Sequence, residues 1–328
     1  MRRGTALAFL LGAAAAAAAT VYAGADTVAH ALERLHVTGL LAITLVHVPV
    51  GIAMGLAWWL VCGREAPAAP GRFIWGRFVR DAAAEVLPFS QLGGFVLGVR
   101  ALGAGRTVVV RGAVSMSIDL VLELAAKLPY VAAGLALLLA LAPRSTLARP
   151  LLVALILTAV AVAVPLVARG RIGPSLLWMA HAISRRWPAL TVMGDALRPG
   201  LVQSISSGVR LRGSFALHVC CWFLGALEAW IAFHLLGAHP SVAQALVIDS
   251  TVAGLRTFAF AVPAAAGVQE ASYLLGASVF GIPPAVAIAA SFARRARDLV
   301  LGVATFAIAL PRNPSLLPQA LRRGTRSL

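Results

Sequence analysis

The sequence predicts an all-α, polytopic integral membrane protein: a bundle of about six to eight spanning helices with two Pro/Gly-broken re-entrant hairpins arranged as an inverted repeat. Three observations carry that prediction. First, 60% of the 328 residues are apolar before the 30 glycines are counted, and only 12% are Asp, Glu, Lys or Arg. A soluble domain is about half apolar and a quarter charged, so this chain cannot cover its own surface with polar groups. Second, the apolar residues fall into runs of spanning length. Third, two of those runs are broken by Pro and Gly in the same order, each followed by a helix with buried charge. The net charge of +16 does not imply nucleic acid as a partner, because the arginines lie between apolar runs, as expected of cytoplasmic loops.

The elements follow in order. The run 4–24, rich in alanine and preceded by Arg2 and Arg3, exceeds the apolar core of a secretory signal and is read as a retained span. A second run, 38–62, ends in Trp58 and Trp59, an aromatic pair suited to a headgroup interface. The loop between them holds Asp26, Glu33 and Arg34, and the loop after holds Arg64, Arg72, Arg77 and Arg80, so both ends of this hairpin are expected at the cytoplasmic face. Further spans are expected at 107–141, 148–168, 211–236 and 284–310, with a cytoplasmic tail at 311–328. Seven arginines within 169–212 read as a segment lying along the inner surface. The whole chain 1–328 is one transmembrane domain, with repeat unit one at about 85–142 and repeat unit two at about 242–310.

The repeat rests on an ordered match. In the first broken stretch, Pro88 is followed by Gly93 and Gly94, then Leu102-Gly103, then Asp119-Leu120-Val121-Leu122. In the second, Pro263 is followed by Gly267, Phe280-Gly281 and Asp298-Leu299-Val300-Leu301. The prolines stand 175 residues apart and the DLVL words 179. Three intervening spans give the second copy the opposite orientation, the architecture in which broken helices meet near the midplane around a site.

Charge placement argues for an enclosed polar interior. Arg294, Arg295, Arg297 and Asp298 crowd the centre of the last helix. Four central charges cost about 10–14 kcal/mol on the insertion scale, against about 3–6 kcal/mol returned by the helix's large apolar residues. Such a helix cannot face lipid there. Partners are available in Asp119, Glu123, Lys127, Glu228, Asp249, Arg256 and Glu270. Asp119, Glu123 and Lys127 are spaced by four, as are Arg294 and Asp298, which predicts local pairs. Glu270 has no cation within a turn and is expected to pair with an arginine of the last helix. The arginine fork suits a phosphate or carboxylate headgroup, so Arg294, Arg295 and Arg297 are candidate lipid-headgroup ligands, with Asp119, Glu123, Lys127, Glu270, Asp298 and Arg256 as the surrounding charge network.

These residues resemble a family. Pro263, Gly267, Val268 and Glu270, followed by the cluster at 294–298, look like the signature of the lysylphosphatidylglycerol-synthase transmembrane, or flippase-like, superfamily. Leu87-Pro88-Phe89-Ser90-Gln91-Leu92-Gly93-Gly94, Gly98-Val99-Arg100-Ala101-Leu102 and Gly267-Val268-Gln269-Glu270 are similar to its hopanoid-biosynthesis-associated branch, HpnL. The resemblance implies a bacterial inner-membrane protein with both termini cytoplasmic that handles or translocates a hopanoid or phospholipid. Ala264 to Ala266 stand where the superfamily often has glycines, and Gln91 where an acid would charge the site more strongly.

Other classes remain open at this level. No polar stretch is long enough for a soluble aminoacyl-transferase domain, and neither an HExxH motif nor a nucleophile elbow occurs. No enzyme activity, cofactor or metal is expected, although Asp119 and Glu123 on one helical face could serve as acid and base. His218 and His234 stand sixteen residues apart and read as packing or hydrogen-bonding residues. Cys62, Cys220 and Cys221 read as apolar fillers. A scaffold that gathers lipid-modifying enzymes on an arginine-rich inner surface is the alternative to transport.

Overall fold

The computed structural model describes residues 3–63, 66–86, 90–167, 208–259 and 265–312. Among them the chain is helical throughout, with no strand. We number the helices α1 (Arg3–Ala23), α2 (Ala25–Cys62), α3 (Pro70–Val86), α4 (Ser90–Ala101), α5 (Arg106–Leu141), α6 (Ala148–Val167), α7 (Gly208–Leu235), α8 (Val242–Arg256), α9 (Val268–Ser278) and α10 (Pro284–Arg312). Of these, α2, α5 and α7 are long and apolar enough to cross a membrane, and α1 and α6 carry shorter apolar stretches. Pro88, Pro263, nearly all of the arginine-rich segment 169–212 and the tail beyond Arg312 lie outside the described residues.

Local chemistry sets the boundaries. Gly24, at φ 83°, separates α1 from α2, a left-handed turn that glycine adopts without steric cost. The region around Asp26, Glu33 and Arg34, read above as a loop, is the polar start of α2. Asp26 sits in its first turn, where a carboxylate complements the helix dipole. α8 begins at a capping box in which Ser241 and Gln244 satisfy each other's backbone amides.

The two broken stretches form two helical hairpins, α3/α4 and α8/α9, each packed antiparallel through small residues. A Cβ on Gly94 would lie 2.5 Å from the Arg80 carbonyl, and one on Gly98 2.9 Å from that of Gly76. In the second hairpin Gly276 lies against the backbone of Ile248. Small residues allow this approach where the hydrophobic effect cannot drive helices together. The arm that pairs with α4 starts at Pro70, ahead of the boundary at 85 read from the sequence. α3 carries Arg77 and Arg80, which are therefore not loop residues.

Contacts fix the helix directions. Gly39 faces Leu235, Val50 meets Cys221 and Leu60 faces Gly213, so α2 and α7 run antiparallel. Asp119 meets His218, and the Glu123 backbone meets Trp222, so α5 and α7 run parallel. Val28 packs on Ala285 and Ile288, and His47 feels the charges of Arg297 and Asp298, so α2 and α10 also run parallel. Each repeat as packed is a helix, a hairpin and a second helix: α2, α3/α4, α5 and then α7, α8/α9, α10. α2 and α7 point in opposite directions, as do α5 and α10, an inverted arrangement of units that begin ahead of the stretches 85–142 and 242–310 read from the sequence. The hairpins exchange partners across it. Ala82 and Val79 of α3 meet Gly302 and Ala309 of α10, while Asp249 and Ser250 of α8 meet Tyr130 and Gly134 of α5.

The tightest crossing gives a test. A methyl on Gly55 would lie 2.4 Å from the Cα of Ile74, a backbone atom that cannot rotate away. Gly55→Ala is expected to lower stability in detergent by about 1–3 kcal/mol. Gly71→Ala, which would meet nothing within 4 Å, is expected to leave the melting temperature unchanged or raise it. Equal melting temperatures for the two variants would contradict the packing.

Candidate functional site

The charged residues of α3, α5, α7, α8, α9 and α10 meet between the two repeats in three connected groups. The first joins α3, α5 and α7. Arg77 presents both terminal nitrogens to the two oxygens of Glu123, each at 3.0 Å, and its Nε donates to Asp81 at 2.7 Å. Arg80 donates to the same Glu123 carboxylate at 3.1 Å. Asp119 lies 4.0 Å from Arg77 and accepts from His218 Nε2 at 2.8 Å. The Arg77 side chain is 4% exposed, so α3 delivers its guanidinium inward as an ion with every fork position used, the condition under which a buried charge is tolerated.

The second group joins α2, α7, α8 and α10. Arg297 pairs with Glu228 and, at 2.6 Å, with Asp298. Glu228 also binds His47 Nδ1 at 2.8 Å. Arg294 pairs with Asp249 and donates to the Tyr273 hydroxyl at 3.0 Å, while the Tyr130 hydroxyl donates to the same Asp249. Glu228 is fully buried and Asp249 nearly so.

The third group lies along the second hairpin. Glu270 accepts two hydrogen bonds from Arg295, at 2.8 and 3.1 Å. It also accepts one from the Ser291 hydroxyl at 2.9 Å and one from the Gly267 amide at 2.8 Å. Gln269 donates to Ser291 and accepts from Arg256 at 2.6 Å. Arg256 then reaches 3.5 Å to Glu85 at the end of α3. This contact ties the arm before one hairpin tip to the arm before the other. Glu85, Arg256, Arg295, Asp298, Asp81 and His47 are partly accessible, between 19% and 44% exposed.

Most sequence-predicted site residues meet here, with altered partners. Glu270 takes an arginine of the last helix, Arg295, as expected. The local pair Glu123–Lys127 is replaced: Glu123 serves Arg77 and Arg80. Lys127 instead donates to Thr257 at 2.9 Å and stands over the Trp222 ring at 4.7 Å. Arg294 likewise chooses Asp249 over Asp298, which goes to Arg297. For Glu123 the reason is geometric: both terminal nitrogens of Arg77 reach its two oxygens, a bidentate pair that a lysine four residues along the same helix cannot offer. Gly93 and Gly94 lie within α4, Gly94 against the Arg80 carbonyl of α3, and Gly267, at φ 79°, caps the start of α9. Ala265 is held at φ 48°, a left-handed conformation costing a non-glycine residue about 1–2 kcal/mol.

Sequence reasoning missed His47, Arg77, Arg80, Asp81 and Glu85 as site residues. The 77, 80, 81, 85 spacing in α3 is a helical stripe, but basic residues after a span ordinarily mark a cytoplasmic loop.

Arg297→Ala would leave Glu228 and Asp298 buried with one cation fewer. It is expected to cost about 3–5 kcal/mol, measured by thermal unfolding in detergent. Glu33→Ala removes half of an ion pair that is 75% and 73% exposed and is expected to cost about 1 kcal/mol or less. A mild effect at Arg297 would show that its pairs are solvated.

The description lysylphosphatidylglycerol synthase TM region matches residues 6–305, which includes all three charged groups and every described helix but the ends of α1 and α10. No curated protein and no solved structure matches the chain. With nearly its whole length covered, the chain belongs to the lysylphosphatidylglycerol synthase transmembrane-region family, whose setting is membrane lipid.

Proposed function

We propose that this protein moves an amphiphilic lipid, a hopanoid or phospholipid, between leaflets of the bacterial inner membrane, with both termini in the cytoplasm and without catalysing a reaction. One observation carries the reading: an ionic network built from both halves of the bundle, with buried pairs at Arg294 and Arg297 and partly accessible groups at Glu85, Arg256 and Arg295.

Its chemistry suits a headgroup. Arg294 and Arg297 are held by buried carboxylates and act as the fixed floor of the site. Arg295, 21% exposed, and Arg256, 32% exposed, are the guanidinium groups a phosphate or polyol reaches. Such a headgroup replaces Glu85 on Arg256 and shares Arg295 with Glu270, so a charged arginine always has an anionic neighbour. Acyl or hopane tails stay in the bilayer, and Asp119, Glu123, Lys127 and Asp298 keep the interior paired while one repeat rocks against the other.

The test is leaflet exchange of a tail-labelled phospholipid or hopanoid in vesicles carrying the purified protein. Arg295→Gln and Glu270→Gln each remove a charge-assisted pair worth about 1.5–3 kcal/mol, so exchange is expected to slow by about 10- to 100-fold, with the melting temperature followed alongside. Product formation without exchange would replace this reading with an enzyme, and neither with a scaffold.

A further inference from the structure

Hydrogen-bond accounting singles out α7. Among the described residues three buried side-chain atoms have no hydrogen-bond partner: Arg210 Nη1, Ser214 Oγ and His218 Nδ1. They stand at intervals of four on one helix, so they form a single stripe, about 6 Å from one to the next and about 12 Å long. Buried polar groups are ordinarily paired, and each unpaired one carries the cost of its lost hydration. Three in line on one face have a common cause.

The chain itself does not close the stripe. Thr158, Ser250, Thr251 and Ser272 turn their hydroxyls back to a carbonyl three or four residues earlier in their own helices, whereas Ser214 does not. On α5, which runs parallel to α7, Ser115 precedes Asp119 by four as Ser214 precedes His218, so the two serines lie at one level. Ser115 is already engaged: it accepts from Trp58 Nε1 at 2.9 Å and donates to the Gly112 carbonyl at 3.1 Å. Asp119 takes the other ring nitrogen of His218, Nε2, at 2.8 Å. Nδ1 then needs a donor or an acceptor according to its tautomer, Ser214 can use either, and Arg210 needs an acceptor. Water serves all three, and a single molecule bridges groups about 6 Å apart.

The stripe leads from a membrane face to the ionic interior. Arg210 lies over the Trp59 ring at 5.7 Å, where α2 ends and α7 begins, and tryptophan is at home in the headgroup layer. At the other end, His218 and Asp119 adjoin Arg77, whose terminal nitrogens hold Glu123. Ser214 and His218 are fully buried while Arg212 and Ala216, between them on α7, are exposed. The stripe therefore faces protein and not lipid. Ions at bilayer depth are supported by partners or by water held inside the protein.

We propose that a file of bound water runs along this face of α7, from Arg210 past Ser214 to His218 Nδ1, and hydrates the Arg77, Glu123 and Asp119 group from the membrane face where α2 ends. This site is separate from the partly accessible groups at Glu85, Arg256 and Arg295, and it does not depend on the transport reading.

Two measurements test it, with water as the probe. In ¹⁵N-histidine-labelled protein in bilayers of phosphatidylethanolamine and phosphatidylglycerol, polarisation transferred from water is expected at the His218 ring as at the exposed His30 ring. Ser214→Val, whose added methyl groups fill the stripe, is expected to abolish the His218 signal and leave that of His30 unchanged. His218→Gln serves only to assign the signal. No transfer to His218 in the unsubstituted protein, or transfer that survives Ser214→Val, overturns the file. Independently, Ser214→Ala separates a hydrated hydroxyl from a dry one by the sign of its effect on thermal unfolding in detergent. Loss of a water-bridged bond lowers the melting temperature by about 1–3 °C, whereas removal of an unpaired hydroxyl raises it. An unchanged or higher melting temperature overturns the proposal.

Discussion

Inside a bilayer no water is available to solvate an ion, and the structure is organised around that constraint. Every arginine that α10 carries into its middle needs a carboxylate at the same depth on another helix. Glu228 on α7, Asp249 on α8 and Glu270 on α9 supply them. Arg77 and Arg80 on α3 receive Glu123 from α5 in the same way. The apolar clusters fill the space around these pairs, but which helices become neighbours is settled where the charges meet. Each long helix has a polar level that is satisfied only in one register.

The inverted repeat makes that pairing possible. Antiparallel α2 and α7 run along each other while α5 and α10 pack across, so residues far apart in sequence arrive at one depth. Glycines at the hairpin contacts, Gly76, Gly94, Gly98 and Gly276, let the short arms approach closely enough for their side chains to reach the centre. The α3 and α8 arms are linked by Glu85 and Arg256 at 3.5 Å, both partly exposed. Exposed pairs of this kind contribute little stability, whereas the pairs beneath them are costly to break. A site with a fixed floor and a weak upper contact is one in which a headgroup can displace a protein carboxylate without disturbing the fold.

Membership in the lysylphosphatidylglycerol synthase transmembrane-region family ties this architecture to membrane lipid. The left-handed Ala265 ahead of α9 and the buried His218–Asp119 contact between α7 and α5 are features of this chain's own geometry.

By itself the sequence determined the helical membrane class, the presence of two hairpins and the need to shelter the charges of α10. Those follow from composition, run length and the placement of Gly and charged residues, which are local properties of the chain. The pairing of Glu270 with an arginine of the last helix was also legible, because Glu270 had no nearer cation. Only the tertiary structure decided that Arg77 and Arg80 are interior residues, that Lys127 turns away from Glu123, and that His47 belongs to the site. An arginine after an apolar run has the same local signature whether it lies in a cytoplasmic loop or on the inner face of a re-entrant arm. What distinguishes the two is a carboxylate 46 residues away in sequence and 3.0 Å away in space, and that proximity exists only once the helices are packed.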